Sequence, residues 1–313
     1  MPFDISGLHH VTATVDEAQP DLDFCIGALG LRLVKKTVNF DNHHVYHFYY
    51  GDERGTPGTI WTTFPYHGRG VRAGIKGTGQ ITVTSFSVPT GSLEFWTRRL
   101  MDRGVAVAPP EPHFDEESIV AIDPSGLLME IVATDRDARS PWGGAGIDAS
   151  FGVRGLHSVS LTLAAADATV EFMSEWLGFS VMGESADRIR LGVHGGGPGR
   201  QVDLIINPGA PAAANGIGTV HHVAMAIDDD AAQLRLREAL IARGIHVTPL
   251  MDRQYFQSIY FREPGGVLLE VATTHPGFDV DEPVGELGRA LKLPPWEEPN
   301  RAVIETGLVP VHY

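Results

Sequence analysis

Two histidine pairs, His9-His10 and His221-His222, and a carboxylate inside an apolar run, Glu270 in Val267-Leu-Leu-Glu-Val-Ala272, are the residues of this chain best suited to hold a metal. Neighbouring residues on a strand point to opposite faces, so one histidine of each pair is expected to face a common site. A carboxylate buried without a partner is costly, and a metal ion would supply that partner. Two imidazoles and one carboxylate on one face leave coordination positions open. That set is typical of non-haem Fe(II) chemistry with oxygen, although Zn, Mn or Ni fit the same ligands.

An internal repeat selects between the histidines. Gly7-Leu8-His9-His10-Val11 recurs as Gly155-Leu156-His157-Ser158-Val159, and Leu29-Gly30-Leu31 as Leu177-Gly178-Phe179; positions 7 to 155 and 30 to 178 give the same shift of 148. Arg103-Gly104 recurs as Arg243-Gly244, and Pro124-x-Gly126-x-x-x-Glu130 as Pro264-x-Gly266-x-x-x-Glu270, both shifted by 140. The shared first histidine reads as structural and the second, replaced by Ser158 in the repeat, as functional. The expected ligands are therefore His10, His222 and Glu270. In the pseudo-symmetric counterpart Glu130 remains, Ser158 stands for His10, and the counterpart of His222 falls between Ile81 and Val83. One metal per chain is expected, with Glu130 a relic that is hydrogen-bonded or partly exposed.

The elements that must position these residues repeat four times. Alternating strands are expected over 9–15, 81–88, 156–163 and 221–227, each followed by an amphipathic helix, over 21–29, 92–103, 168–177 and 231–243. Gly30, Gly104, Gly178 and Gly244 supply left-handed helix ends, and several short strands follow each helix. The fold class is α+β, four βαβββ modules in two tandem domains with cupped mixed sheets. The N-terminal domain spans 1–140 and carries His10. The C-terminal domain spans 152–280 and carries His222 and Glu270, with 135–151 as linker. A tail, 281–313, is expected to pack back loosely. An open sheet leaves an edge and a bare face, so modules should pair and cup a site between them.

Composition narrows the partners. A chain of 313 residues with formal charge −15 and no basic cluster would be repelled by nucleic acid or an anionic membrane. No segment reaches the roughly 18 apolar residues that a membrane helix needs. One cysteine, Cys25, and a start without a basic, apolar leader point to the cytoplasm. Cys25 reads as a small buried residue. His43, His44 and His47 read as surface groups or neighbours of the ligands, His194 as part of a glycine-rich surface loop, and Asp203 as a carboxylate without a matching histidine.

These residues resemble the vicinal oxygen chelate superfamily, which includes glyoxalase I, bleomycin-resistance proteins and extradiol ring-cleaving dioxygenases. The stretch Ile259-Tyr-Phe-Arg-Glu-Pro-Gly-Gly-Val-Leu-Leu-Glu270 is similar to the extradiol signature, whose last Glu is the metal ligand. Where catechol-cleaving members carry a catalytic histidine shortly before this stretch, the chain has Arg253. That difference turns the resemblance toward the hydroquinone-cleaving branch, as do Gly7-Leu-His-His-Val-Thr12, Tyr46-His-Phe-Tyr-Tyr-Gly-Asp-Glu-Arg-Gly-Thr-Pro-Gly-Thr59, Asp252-Arg253 and Tyr260. The resemblance implies Fe(II), or Mn(II), on His10, His222 and Glu270, with His9, His221, Arg253 and Tyr260 near the substrate. The expected reaction is ring opening of a small, substituted or plain hydroquinone by O2, with Arg253 stabilising negative charge, Tyr260 steering a proton, and His221 or His9 as acid–base partners. The alternatives are a glyoxalase-type isomerase or glutathione-adduct enzyme using Zn or Ni, and a non-catalytic protein that binds an aromatic compound or drug. A homo-oligomer is compatible with the sequence.

Overall fold

The computed structural model describes residues 3–185 and 187–313. Each module folds as strand, helix and three strands. Module one holds β1 (Gly7–Val15), β2 (Arg32–Asn39), β3 (Asn42–Gly51) and β4 (Ile60–Pro65). Module two holds β5 (Gln80–Val88), β6 (Ala106–His113), β7 (Glu116–Ile122) and β8 (Leu128–Ala133). Module three holds β9 (Gly155–Leu163), β10 (Ser180–Ser185), β11 (Arg188–Gly192) and β12 (Gln201–Ile206), and module four β13 (Thr219–Ile227), β14 (Met251–Asp252), β15 (Gln257–Arg262) and β16 (Leu268–Thr273). The helices are α1 (Ala18–Leu22), α2 (Leu93–Asp102), α3 (Asp167–Leu177), α4 (Asp230–Ala242) and α5 (Arg301–Gly307). The expected helix over 21–29 differs. After α1 the chain widens into a π-helical turn, Asp23–Ala28, closed by Leu29 N–H donating to the Phe24 carbonyl. A period of 3.6 read over nine residues does not distinguish that turn from an α-helix.

The sheets do not follow the two halves of the sequence. One runs β14-β15-β16-β13-β1-β4-β3-β2 and the other β10-β11-β12-β9-β5-β8-β7-β6. Modules four and one build the first, modules three and two the second, so 1–140 and 152–280 each lend one module to each sheet. The expected site between paired modules therefore lies where 1–140 meets 152–280. Antiparallel pairing of β1 with β13, and of β5 with β9, closes the edge that the first strand of every module would otherwise expose. The two crossover segments also run together, through bridges of Ala73 with Ile217 and Ile75 with Ala214.

All nine residues of β1 are buried, because both faces of the strand are covered. Val11, Ala13 and Val15 enter an apolar core shared by both sheets, while His10, Thr12 and Thr14 line the cup, as the two-residue period dictates. Gly7 opens the strand at a φ of +148°, with the Gly199 carbonyl where a Cβ would lie, so the repeated glycine answers a close backbone approach.

The tail is not loose. Lys292 N–H donates to the Lys36 carbonyl along edge strand β2, and Leu287, Leu293, Ile304 and Leu308 are buried. The fully buried Lys35 ammonium binds Asp281 at 2.6 Å and Glu282 at 2.5 Å. A buried cation of this kind needs its partners, so the ion pairs fix the tail to module one. No helix among the described residues is long and apolar enough to cross a membrane.

Behind β4, burial pushes the Asp21 carboxyl up to about 6, against the opposing hydroxyls of Thr63 and Tyr50, and burial pushes Asp123 up to about 7. A carboxyl whose folded-state value is raised stabilises the fold below its unfolded value, and that stability is lost as pH rises through the folded value. Wild type is therefore expected to melt a few degrees lower at pH 7.5 than at pH 5.5, and Asp21→Asn to shrink the difference. Melting curves at the two pH values check this; an unchanged difference in the variant contradicts it.

Candidate metal centre

Two β-bulges build the histidine pairs. Leu8 pairs with Met225 and His10 with Ala224, which leaves His9 as the extra residue; Thr12 pairs with His222 and Ala13 with Val220, which leaves His221 as the extra residue. The rings of each pair therefore come together instead of taking opposite faces, as regular strands would place them. His9 Nδ1 lies 2.9 Å from His10 Nδ1, and His221 Nδ1 lies 2.7 Å from His222 Nδ1.

The second histidine of each pair points its other nitrogen at Glu270. His10 Nε2 is 3.2 Å and His222 Nε2 2.8 Å from Glu270 Oε2, and the two nitrogens are 3.4 Å apart. Three donors on one face of an octahedron with bonds of about 2.1 Å are separated by about 3 Å, which these spacings match. Ser258 Oγ–H donates to Glu270 Oε1, while Oε2, fully buried, accepts no hydrogen bond. A buried carboxylate oxygen without a donor, facing two imidazole nitrogens, suits a cation. The donor set fits a metal ion.

The first histidines set the second ones. Burial, followed by the charge of the neighbouring imidazole, lowers His9 and His221 to about 3, so both are neutral. His9 also has a backbone hydrogen bond at Thr273, which leaves its Nδ1 to accept from His10 Nδ1–H and turns the His10 Nε2 lone pair toward the centre. Phe256 packs against both rings, 4.9 Å from His9 and 5.2 Å from His10. His9, expected at the substrate, lies behind His10 and off the cavity wall, packed against Phe256; His221 does line the cavity.

The cavity over the triad holds about 580 Å³ and is walled by aromatic and small polar residues, among them Thr12, His47, Tyr49, Phe64, Arg253 and Tyr260. Tyr260 pairs in register with Glu270, and its ring lies 5.5 Å from His222. Burial, then the Glu270 charge, drives the phenol upward, so it stays protonated. Arg253 follows β14 in a tight turn in which Gln254 takes a left-handed φ of 66°. Its Nε–H donates to the Tyr260 oxygen at 3.2 Å, and its Nη1–H to Asp41 Oδ2 at 3.2 Å. The site is thus a shielded, aromatic-walled cup with one fixed positive charge beside three metal-type donors.

Comparison with known proteins places the chain. The family model for the Glyoxalase/Bleomycin resistance protein/Dioxygenase superfamily matches residues 155–271. The chain is 40% identical over 304 residues to MhqO of Bacillus subtilis, provisionally named a ring-cleaving dioxygenase, covering 97% of this chain and 96% of that protein. The chain belongs to this superfamily. It is also 35% identical over 305 residues to a chlorohydroquinone/hydroquinone 1,2-dioxygenase of Sphingobium indicum, covering 94% of this chain and 93% of that one. A crystal structure of a provisionally named dioxygenase from Bacillus subtilis superposes with a TM-score of 0.94 at 39% identity, covering 99% of this chain and 98% of that one. Dioxygenases of the superfamily are metal-dependent, and His10, His222 and Glu270 are a group able to hold an ion.

As the repeat within the chain predicts, the second sheet carries a twin of this centre, with informative differences. The bulges recur at His157 and Thr82, which places Ser158 opposite Ser85 and sets Val83 in the position of His222. Ser118 binds Glu130 Oε1 as Ser258 binds Glu270, but Ser85 binds Glu130 Oε2, where the metal-type centre has Ala224. Glu130 is hydrogen-bonded and buried, and its second oxygen is satisfied by a hydroxyl. The twin cup is occupied by ion pairs. Arg190 binds Asp203 at 2.8 Å and Glu116 at 2.9 Å, and His157 Nε2 lies 3.1 Å from Glu116. Asp203 therefore serves this network. Glu130→Gln is expected to leave the metal content of purified protein near one ion per chain, as elemental analysis would read; a halved content would place a second ion in the twin.

A second acidic group, Asp16, Glu17 and His67, lies at the surface, with Glu17 and His67 exposed. His43 binds Glu297 of the tail and His194 Nε2 the Ile5 carbonyl, both away from the cup. Asp41 is a wall residue that sequence reasoning did not name, and of the two readings given for His47 the structure supports a place in the cup wall beside Thr62 on β4. The alternation His47-x-Tyr49 on β3 is the signal for that placement.

Proposed function

We propose that this chain is an Fe(II)-dependent dioxygenase that opens the ring of hydroquinone-type aromatic substrates. The observation that carries the reading is the convergence of His10 Nε2, His222 Nε2 and Glu270 Oε2 at 2.8 to 3.4 Å beneath an aromatic-walled cavity with Arg253 on its rim. The named activity of the Sphingobium relative at 35% identity supports it. An isomerase would usually want a fourth protein ligand, and the group around Glu270 contains three. Mn(II) suits the same donors.

When bound, the metal would supply a common site for a deprotonated phenol oxygen and O2, and a path for electrons between them. The chain's own residues do the rest. The aromatic wall takes the ring and excludes water. Arg253, held charged by Tyr260 and Asp41 against the effect of burial, stabilises negative charge that develops on oxygen. Tyr260 keeps its proton and donates it to an oxygen at the reacting carbon, with the Arg253 Nε–H fixing its orientation. His221, neutral and on the wall with its Nδ1 engaged by His222, is left with Nε2–H to offer a substrate oxygen. One carbon–carbon bond beside the hydroxyl-bearing carbon breaks, and both atoms of O2 enter the ring-opened product. An oxygen electrode tests this. Fe(II)-loaded protein given hydroquinone is expected to take up one O2 per ring opened, with both atoms of labelled O2 in the product; no uptake, alongside turnover of a glutathione adduct, would place it with the isomerases.

A further inference from the structure

His47 is a half-buried imidazole in the cavity wall whose role is not explained by the metal centre. It stands on β3, two strands beyond β1 in the order β13-β1-β4-β3, while Arg253 and Tyr260 occupy the opposite flank around β14 and β15. A lateral row of polar groups crosses the cup. Thr12 pairs in register with His222 on one side and Thr62 on the other, Thr62 Oγ1–H donates to Thr12 Oγ1 at 3.1 Å, and His47 Nε2 lies 2.8 Å from Thr62 Oγ1. A threonine hydroxyl has one proton. Thr62 gives it to Thr12, so the contact with His47 requires the imidazole to donate through Nε2–H. The remaining nitrogen, Nδ1, then carries a lone pair, and no hydrogen bond to it is found among the described residues. Burial, followed by the charges of His10 and Arg253, holds the ring well below its ordinary value, so it stays neutral and Nδ1 stays an acceptor. The ring is held on both sides, 4.0 Å from Tyr49 and 4.2 Å from Phe64, in the most aromatic part of the wall.

A rigid, neutral acceptor in an aromatic wall, across the cup from the charged flank, is suited to a hydroxyl on the far side of a ring whose first oxygen is at the metal. We propose that His47 is the specificity-determining residue for that second hydroxyl: Nδ1 accepts its proton in a hydrogen bond and selects aromatic diols over rings that lack a donor there. The inference rests on the proposed function for the placement of the first oxygen. A site built to accept from a hydroxyl rejects an analogue without one, because its buried acceptor is left unpaired.

The test is binding, measured without turnover. Fe(II)-loaded protein under anaerobic conditions is titrated calorimetrically with hydroquinone and with 4-methoxyphenol, whose far oxygen cannot donate. Wild type is expected to prefer hydroquinone by about tenfold or more, which corresponds to about 1.4 kcal/mol. His47→Phe keeps a ring between Tyr49 and Phe64 and loses the lone pair, and the preference should collapse to within about twofold. His47→Gln, which restores an acceptor oxygen, should recover part of it, with metal content unchanged in both variants. Should His47→Phe fail to fold, His47→Leu poses the same question. A variant without an acceptor that keeps the wild-type preference, or a wild type with none, overturns the assignment. Failure of the wild type to consume O2 would instead overturn the proposed function, and the binding ratio would still decide the role of His47.

Discussion

Glu270→Gln is expected to strip the metal and abolish ring opening. The substitution keeps the shape of the side chain and its contact with Ser258, and removes only the charge that His10 and His222 face. Burial alone would raise the Glu270 carboxyl, but the two imidazoles outweigh burial and hold it well below its ordinary value, so the wild-type centre presents a carboxylate at any working pH. A neutral amide offers one weakly basic oxygen in its place. Loss of groups that merely support a ligand costs about 10- to 100-fold in metal affinity, and loss of a ligand should cost at least the upper end of that range. Oxygen uptake should fall by about a thousandfold or more, in line with removal of a group on which charge stabilisation depends. Elemental analysis after dialysis reads the first effect and an oxygen electrode the second. A Gln variant that keeps its metal and its rate would refute the ligand assignment.

Arg253→Met should separate chemistry from metal binding. The guanidinium touches Tyr260 and Asp41 but none of the three donors, so metal content is expected to stay at the wild-type level. Removing one preorganised charge from a water-excluded site typically lowers kcat by about 10²- to 10³-fold. Lysine should rescue little. Arg253 uses Nε–H toward Tyr260 and Nη1–H toward Asp41, two directions that a single ammonium does not reproduce. Steady-state kinetics beside elemental analysis checks this, and a variant with kcat within a fewfold of wild type would leave Arg253 without a part in the reaction.

Much of this arrangement can be read from residue order, because the strands that carry it alternate cleanly. His10, Thr12 and Thr14 against Val11, Ala13 and Val15 define the two faces of β1 before any coordinates are known. The choice of the second histidine in each pair came from a comparison inside the chain, Ser158 against His10. The bulges at His9 and His221 were not legible. A bulge depends on which residue of the partner strand is skipped, and that is a property of pairing between residues more than 200 positions apart. The partnership of module one with module four was implied only by the expected ligand set, His10 with His222 and Glu270. All four opening strands have similar edges, and nothing local says which two will meet. The tail was misjudged because its anchor, Lys35 with Asp281 and Glu282, joins charges that look like surface residues when read singly.

The interleaved pairing of modules bears on the order in which the protein can be made. His10 leaves the ribosome among the earliest residues, while the strand that completes its surroundings, β16, is translated some 260 positions later. Modules two and three are contiguous in the chain and can assemble during synthesis, whereas β1 must wait with one edge unsatisfied until β13 emerges. Assembly of the His10, His222 and Glu270 group is therefore confined to the last stage of synthesis, and a polypeptide cut short before β16 lacks the carboxylate that completes it.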